Sequence, residues 1–206
     1  MKTIRLFIFL CLLMSLSGCN KFYCLFFGIH KPVLENEASL KSYAFGIGLD
    51  TSNMFAVRYR DYFNVASRRG FPDALIFNSS GGYIEYKLTD TSCNAGLFAF
   101  IPQLNKDSNY IQSDTFRLSN EIYRFRTLSG HSVQSFDTAS YDFLLCIYWA
   151  RFLGNININH VRVWQQLASA NPNATIKTIL VNLDVQQNWE TPQRDELLYA
   201  MRKAIR

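Results

Sequence analysis

The side chains that could carry chemistry in this chain are few and far apart. Cys93 lies in TDTSCNAG, where a helix capped by Thr91 or Ser92 would put its thiol in the first turn and the helix dipole would favour the thiolate. Cys93 is therefore the candidate reactive thiol, set against the plainer reading of a packed or half-buried cysteine. Cys146 sits inside the apolar run FLLCI, the setting of a small core hydrophobe. His30, His131 and His160 are isolated from one another and from acidic clusters at ligand spacing, so no metal is expected. Asp50, Asp61, Asp73 and Asp184 show no pairing that acid–base catalysis would need; Asp184, closing ILVNLD, reads as a cap or turn residue. Gly46-x-Gly48 lacks the strand and further glycine of a phosphate loop, and no cofactor is expected.

The elements that must hold these residues are clearest in the second half. Phe143 to Tyr148 is a continuous apolar run of strand length, as a strand covered on both faces requires. Ile158, Val161, Trp164, Leu167 and Ala168 then recur on one helical face, with Asn157 as candidate cap and Asn171-Pro172-Asn173 as terminator. Ile176 to Leu183 reads as a second buried strand, parallel to the first through a right-handed crossover. Thr191-Pro192 opens a last helix with Thr191 as cap and a stripe of Leu197, Leu198, Met201 and Ile205. Upstream, ALIFNSSGGYIEYK predicts an antiparallel hairpin after Phe71-Pro72, CNAGLFAFIPQL a short helix limited by Pro102, and IYRFRTLSGHSV an edge hairpin turning at Ser129-Gly130. The class is α/β, and the length of 206 residues suits one domain.

The first residues form a targeting segment: Lys2 and Arg5, then the apolar LFIFLCLLM, then the small residues SLSG. Leu16-Ser17-Gly18-Cys19 resembles the lipobox of bacterial lipoproteins. That resemblance implies cleavage after residue 18, a lipid-bearing Cys19, a lipidated and apolar stretch over 19–30, and a body over 31–206. Within the stretch, Phe22, Tyr23, Leu25, Phe26 and Phe27 form a cluster too short to span a bilayer. It either lies at the lipid interface or packs on the body as a first strand, the second being preferred. Loss of Lys2 and Arg5 with the leader lowers the formal charge from +5 to +3. Arg58, Arg60, Arg68 and Arg69 are the densest basic stretch, with aromatics interleaved; in an exported chain they suit solvent or anionic headgroups, and nucleic acid is not an expected partner. Cys24, Cys93 and Cys146 are an odd number once Cys19 is lipidated, so at most one bridge forms and a Cys24–Cys93 pairing stays open.

From Ile122 to Trp189 the chain resembles the membrane-tethered, exported branch of the thioredoxin family. FRTLSGHSVQSFD precedes the strand, FLLCIYWA leads into Trp-Ala, an amphipathic helix follows, and ILVNLD supplies the next strand. In that family two residues after Trp-Ala comes Cys-x-x-Cys at a helix N-terminus; here the motif falls on Leu153-Gly154-Asn155-Ile156. Neither alkyl side chain can attack or resolve a disulfide, which removes the family's ordinary activity. The family's later parts, a cis-proline, a hairpin and a closing helix, have counterparts upstream in Phe71-Pro72, the NSSGG hairpin and the helix near Cys93. The resemblance thus implies a mixed sheet flanked by helices, either circularly permuted, with a hairpin-containing half (31–110) and a Trp-Ala half (111–206), or joined to a decayed neighbouring domain.

The function expected is a membrane-anchored, redox-inactive module of the bacterial cell envelope, facing the periplasm, that binds an envelope protein or serves structurally. Its contact surface would be the former substrate corner, Tyr148, Trp149, Phe71 and Pro72 beside Leu153 to Ile156. A thiol-dependent enzyme working through Cys93 is the alternative.

Overall fold

A computed structural model describes residues 24–67, 71–87 and 94–205, and shows a seven-stranded mixed sheet with helices on both faces. Its centre is FLLCIYW, strand β6 (Phe143–Trp149), in which every residue is buried. Successive strand side chains point to opposite faces, so Leu144, Cys146 and Tyr148 enter one core while Phe143, Leu145, Ile147 and Trp149 enter the other. A strand this apolar must be covered on both sides, and it is.

The strands β1 (Met54–Val57), β2 (Asp73–Asn78), β3 (Gly82–Ile84), β4 (Gln112–Arg117), β5 (Phe125–Thr127), β6 and β7 (Ile176–Asn182) stand in the order β4-β3-β2-β6-β7-β1-β5. β6, β7 and β1 run parallel; β2, β3, β4 and β5 each join antiparallel to an inner neighbour. The upstream hairpin therefore pairs directly with the central strand, Asp73 opposite Tyr148, and both halves of the chain build one sheet. The Phe71-Pro72 peptide just before β2 is cis.

Helices α2 (Tyr59–Ser67), α4 (Leu118–Ile122) and α6 (Thr191–Ala204) supply Tyr62, Val65, Leu118, Ile122, Leu197 and Leu198 to the Tyr148 face. On the Trp149 face lie α1 (Glu37–Gly46), α3 (Leu97–Gln103) and α5 (Val163–Ser169), through Leu40, Ala44, Leu97, Ile101, Trp164 and Ala168. Pro102 lies inside α3, near its end. The β6–α5–β7 crossover, the β2–β3 hairpin and the turn at Gly130 (φ 96°) all follow the sequence pattern.

Four local expectations are corrected. Residues 24–27 are a helical turn and not a strand; Leu25 and Phe26 point to solvent, 81% and 68% exposed, and only Phe27 and Ile29 pack on the core. The helix after β6 is already helical before Asn157 and runs as a π-helix, Asn157–Arg162, into α5. Asn157 is therefore no cap: its buried amide donates to Ala150 O at 2.8 Å. Thr191 is the first residue of α6, behind Glu190, which makes no side-chain cap. His160 is half-buried between the rings of Phe98 and Trp164, not solvent-facing.

Candidate functional site

The C-terminal end of the parallel strands, where β6 leaves the sheet, carries the densest polar structure. Trp149 stands opposite Asn182, and Asn182 opposite Ala56, so the ends of three strands form one row. Past that row Ala150 turns into a short 3-10 helix, Arg151–Leu153, whose first N–H groups have no partner within the turn. Asp184, two residues beyond β7, accepts from the N–H groups of Arg151 at 2.6 Å and Phe152 at 3.5 Å, and from Asn182 Nδ2 at 2.8 Å. Gln186 closes the cluster, donating from Nε2 to Asn182 Oδ1 at 2.8 Å and to Asp184 O at 2.7 Å. Burial pushes the Asp184 carboxyl up to about 6; the three donors pull the other way, and the nearby Glu35 charge adds to the push. Asp184 thus acts as the cap its place in the sequence suggested.

An arm formed by residues 24–36 lies across this corner. His30 N–H donates to Phe152 O at 3.0 Å, Glu35 N–H to Val185 O at 2.9 Å, and Gln187 N–H back to Glu35 O at 2.7 Å. Arg151 Nη1 reaches both carboxylate oxygens of Glu35 at 3.0 Å, and Arg202 Nε holds Pro32 O at 2.8 Å. Glu35 is 1% exposed, so this ion pair is shielded from solvent on the carboxylate side. The closest approach is between two glycines: a Cβ on Gly154 would lie 2.2 Å from Gly28 O, and Gly154 has φ 57° and ψ −127°. Glycine is required there twice over, for space and for backbone conformation.

The four positions on which the resemblance would place a redox motif, Leu153 to Ile156, are covered by this arrangement. Leu153 and Ile156 are 7% and 6% exposed, Gly154 is half-buried beneath the arm, and Asn155 alone of the four is exposed. Tyr148 and Trp149, expected as contact residues, are interior: Tyr148 Oη donates to the buried Glu121 at 2.7 Å, and Trp149 stacks on Tyr43. Pro72 is buried and Phe71 half-buried against the Tyr148-side core. Of the residues expected to form the contact surface, Asn155 is exposed and Phe71 partly so. Cys146 is wholly buried in β6, and Cys24 carries a free, half-buried thiol. Cys19 and Cys93 lie outside the described residues, as do Arg68 and Arg69.

A second polar feature, only partly legible in the sequence, stands at the same end of the sheet. Val57 ends β1 opposite Phe125, and the chain turns there into Arg58 and Arg60. The Arg58 guanidinium lies 4.0 Å from the centre of the Tyr123 ring and pairs through Nε with Asp61. Arg60 Nη2 donates to Tyr123 Oη at 2.7 Å, and Arg126 joins from β5, opposite Ala56. Burial, and then the charges of Arg58 and Arg60, hold the Arg126 guanidinium below its usual pKa. The Tyr123 phenol is lowered, chiefly by its hydrogen bond with Arg58 and then by the charge of Arg60. These arginines border an open cleft of about 550 Å³ that continues to Gln186 and Trp189. Arg58 and Arg60 were visible as a basic stretch; Arg126, distant in sequence, was not.

No family model, curated protein or solved structure matches this chain.

Proposed function

We propose that this chain is a lipid-anchored, redox-inactive, thioredoxin-like module of a bacterial cell envelope, with a protein-binding or structural role on the periplasmic side. The observation that carries the reading is the corner after β6: it has the strand, turn and helix of a thiol site, but Leu153 and Ile156 at the thiol positions, closed over by the arm. The pairing of β2 with β6 supports the permuted arrangement over a decayed neighbouring domain, because the hairpin and the Trp-Ala strand share one sheet and both cores. The arm is also the segment that joins the body to Cys19, so the corner doubles as the place where the tether is fastened.

The test is catalysed reduction of a protein disulfide by dithiothreitol, followed with and without the purified chain. Rates equal to those of dithiothreitol alone are expected. Acceleration that disappears on Cys93→Ser would overturn the non-catalytic reading in favour of a thiol enzyme.

A further inference from the structure

The whole end of the sheet that carries the arm has the composition of a membrane-facing surface, and we propose that it docks directly on an anionic bilayer. This inference rests on the tethered reading for its setting, but its recognition chemistry is separate from the acyl chains. Because β6, β7 and β1 are parallel, Trp149, Asn182 and Val57 end at one edge, and everything beyond them faces the same way. Beyond β6 lies the arm; beyond β1 lie Arg58 and Arg60.

The arm presents bare apolar surface. Leu25 and Phe26 are adjacent and largely bare, and Val33 and Leu34 remain 40% and 37% exposed further along. Together with Tyr123 among the arginines, these make up five of the nine large apolar side chains exposed among the described residues. Contiguous exposed apolar side chains rimmed by polar groups mark interaction surfaces. Tyrosine with an apolar body and a polar tip suits the headgroup level of a bilayer.

Charge complements this. Arg60 and Arg126 stand beside Arg58, which is itself buried and paired with Asp61, in a cleft that Glu190 also lines, and the Arg60 side chain is 64% exposed. Guanidinium groups are the fitting partners for phosphate oxygens, and a phosphate-bearing surface would relieve their mutual repulsion. Reach selects the lipid as occupant. Five residue steps separate a lipid on Cys19 from Cys24, at most ~18 Å of extended chain. The turn bearing Leu25 and Phe26 must then stay within that distance of the headgroups, and the strand ends follow it.

The experiment uses the full processed chain with phosphatidylcholine vesicles, with and without a large fraction of anionic phosphatidylglycerol. Flotation with the pure phosphatidylcholine vesicles reports the anchor. Acrylamide quenching of tryptophan reports docking, because Trp149 and Trp164 are fully buried and Trp189, in the arginine cleft, is the accessible one. Quenching is expected to fall at least about twofold on anionic vesicles only, and to recover in ~0.5 M salt, where screening is nearly complete. Arg60→Glu should weaken the docked state about fivefold per unit of charge changed, and Leu25→Ser with Phe26→Ser should weaken it without changing the salt dependence. Neither site is buried, so the variants keep their fold. Flotation on both vesicle types with identical quenching overturns the proposal, and leaves the anchor standing. Absence of flotation on phosphatidylcholine alone sinks the anchor reading; salt-sensitive flotation and Trp189 protection on anionic vesicles would then still support docking, and their absence would end it.

Discussion

Acidification should stabilise this fold over one defined window, and replacing Asp184 by asparagine should remove that effect. The Asp184 carboxyl titrates at about 6 in the folded chain against an ordinary value of 3.8. Between those values the folded state holds a proton that the unfolded state has released, so stability falls as pH rises from about 4 to about 6 and, for this group, is level above it. A displacement of roughly two units corresponds to ~3 kcal/mol. The size reflects a contest visible in the structure: a carboxyl 1% exposed and close to Glu35, opposed by two main-chain N–H groups and the Asn182 amide. Asparagine keeps an acceptor for Arg151 N–H and carries no charge. Urea unfolding of both proteins, by far-ultraviolet circular dichroism from about pH 4 to pH 7.5, isolates the contribution, since the other titrating groups are common to both. The stability of Asp184→Asn relative to the parent should rise by about 3 kcal/mol across the window. A difference constant to within ~0.5 kcal/mol would show that the buried carboxyl does not hold its proton, and the account of this corner would fail.

Three further outcomes follow from the same corner. Gly154→Ala should cost at least ~3 kcal/mol in urea unfolding, of which ~1–3 is backbone conformation and the remainder the collision with Gly28 O; faster hydrogen exchange at His30 would show that the arm has lifted, and a cost below ~0.5 kcal/mol would refute the close contact. Arg151→Ala should destabilise by about 2–3 kcal/mol by leaving Glu35 buried with Ser39 Oγ as its remaining side-chain partner, somewhat less than for a fully buried pair because Arg151 is a third exposed; Glu35→Gln in that background should recover part of the loss. Leu153→Cys with Ile156→Cys restores the spacing of a redox motif but not its access, so both thiols should label at least about tenfold more slowly in the folded chain than in urea, and labelling as fast as in urea would show that the arm does not cover them.

The parts of this fold that could be read from sequence are those whose pattern is local. β6 and β7 announce themselves as apolar runs because both faces are covered, and the β2–β3 hairpin by its Gly-Gly turn. β1 is only four residues long and β4 is a polar edge strand, so neither carries a run or an alternation that separates it from loop. α1 is similarly faint: only Leu40 and Ala44 of its ten residues are buried. The arm was misjudged for a related reason. An aromatic run suggests a strand when burial is assumed, whereas Leu25 and Phe26 stand in solvent on a helical turn. The corner's chemistry was invisible because its partners are remote: Glu35 meets Arg151 across 116 residues, and Arg126 reaches the Arg58 cluster only because β5 pairs with β1. What could be read was that positions 153 and 156 carry no thiol; that the arm covers them could not.

That closure ties the two proposals together. Alkyl groups at positions 153 and 156 would leave an apolar notch open to water at a strand end, and covering a side chain of that size is worth about 1.5–3 kcal/mol. Phe27 and Ile29 of the arm pack on the core that includes Leu153 and Ile156, and the polar bonds through His30, Pro32 and Glu35 hold the arm in register. Once the arm is fixed there, any tension or restraint on the segment before Cys24 acts on the strand ends directly and not through a loose linker. The packing that covers Leu153 and Ile156 is therefore the same packing that would orient the body on a membrane. Lifting the arm with Gly154→Ala should accordingly make Trp189 protection on anionic vesicles weaker while leaving the chain bound to them, which separates orientation from anchoring in a single substitution.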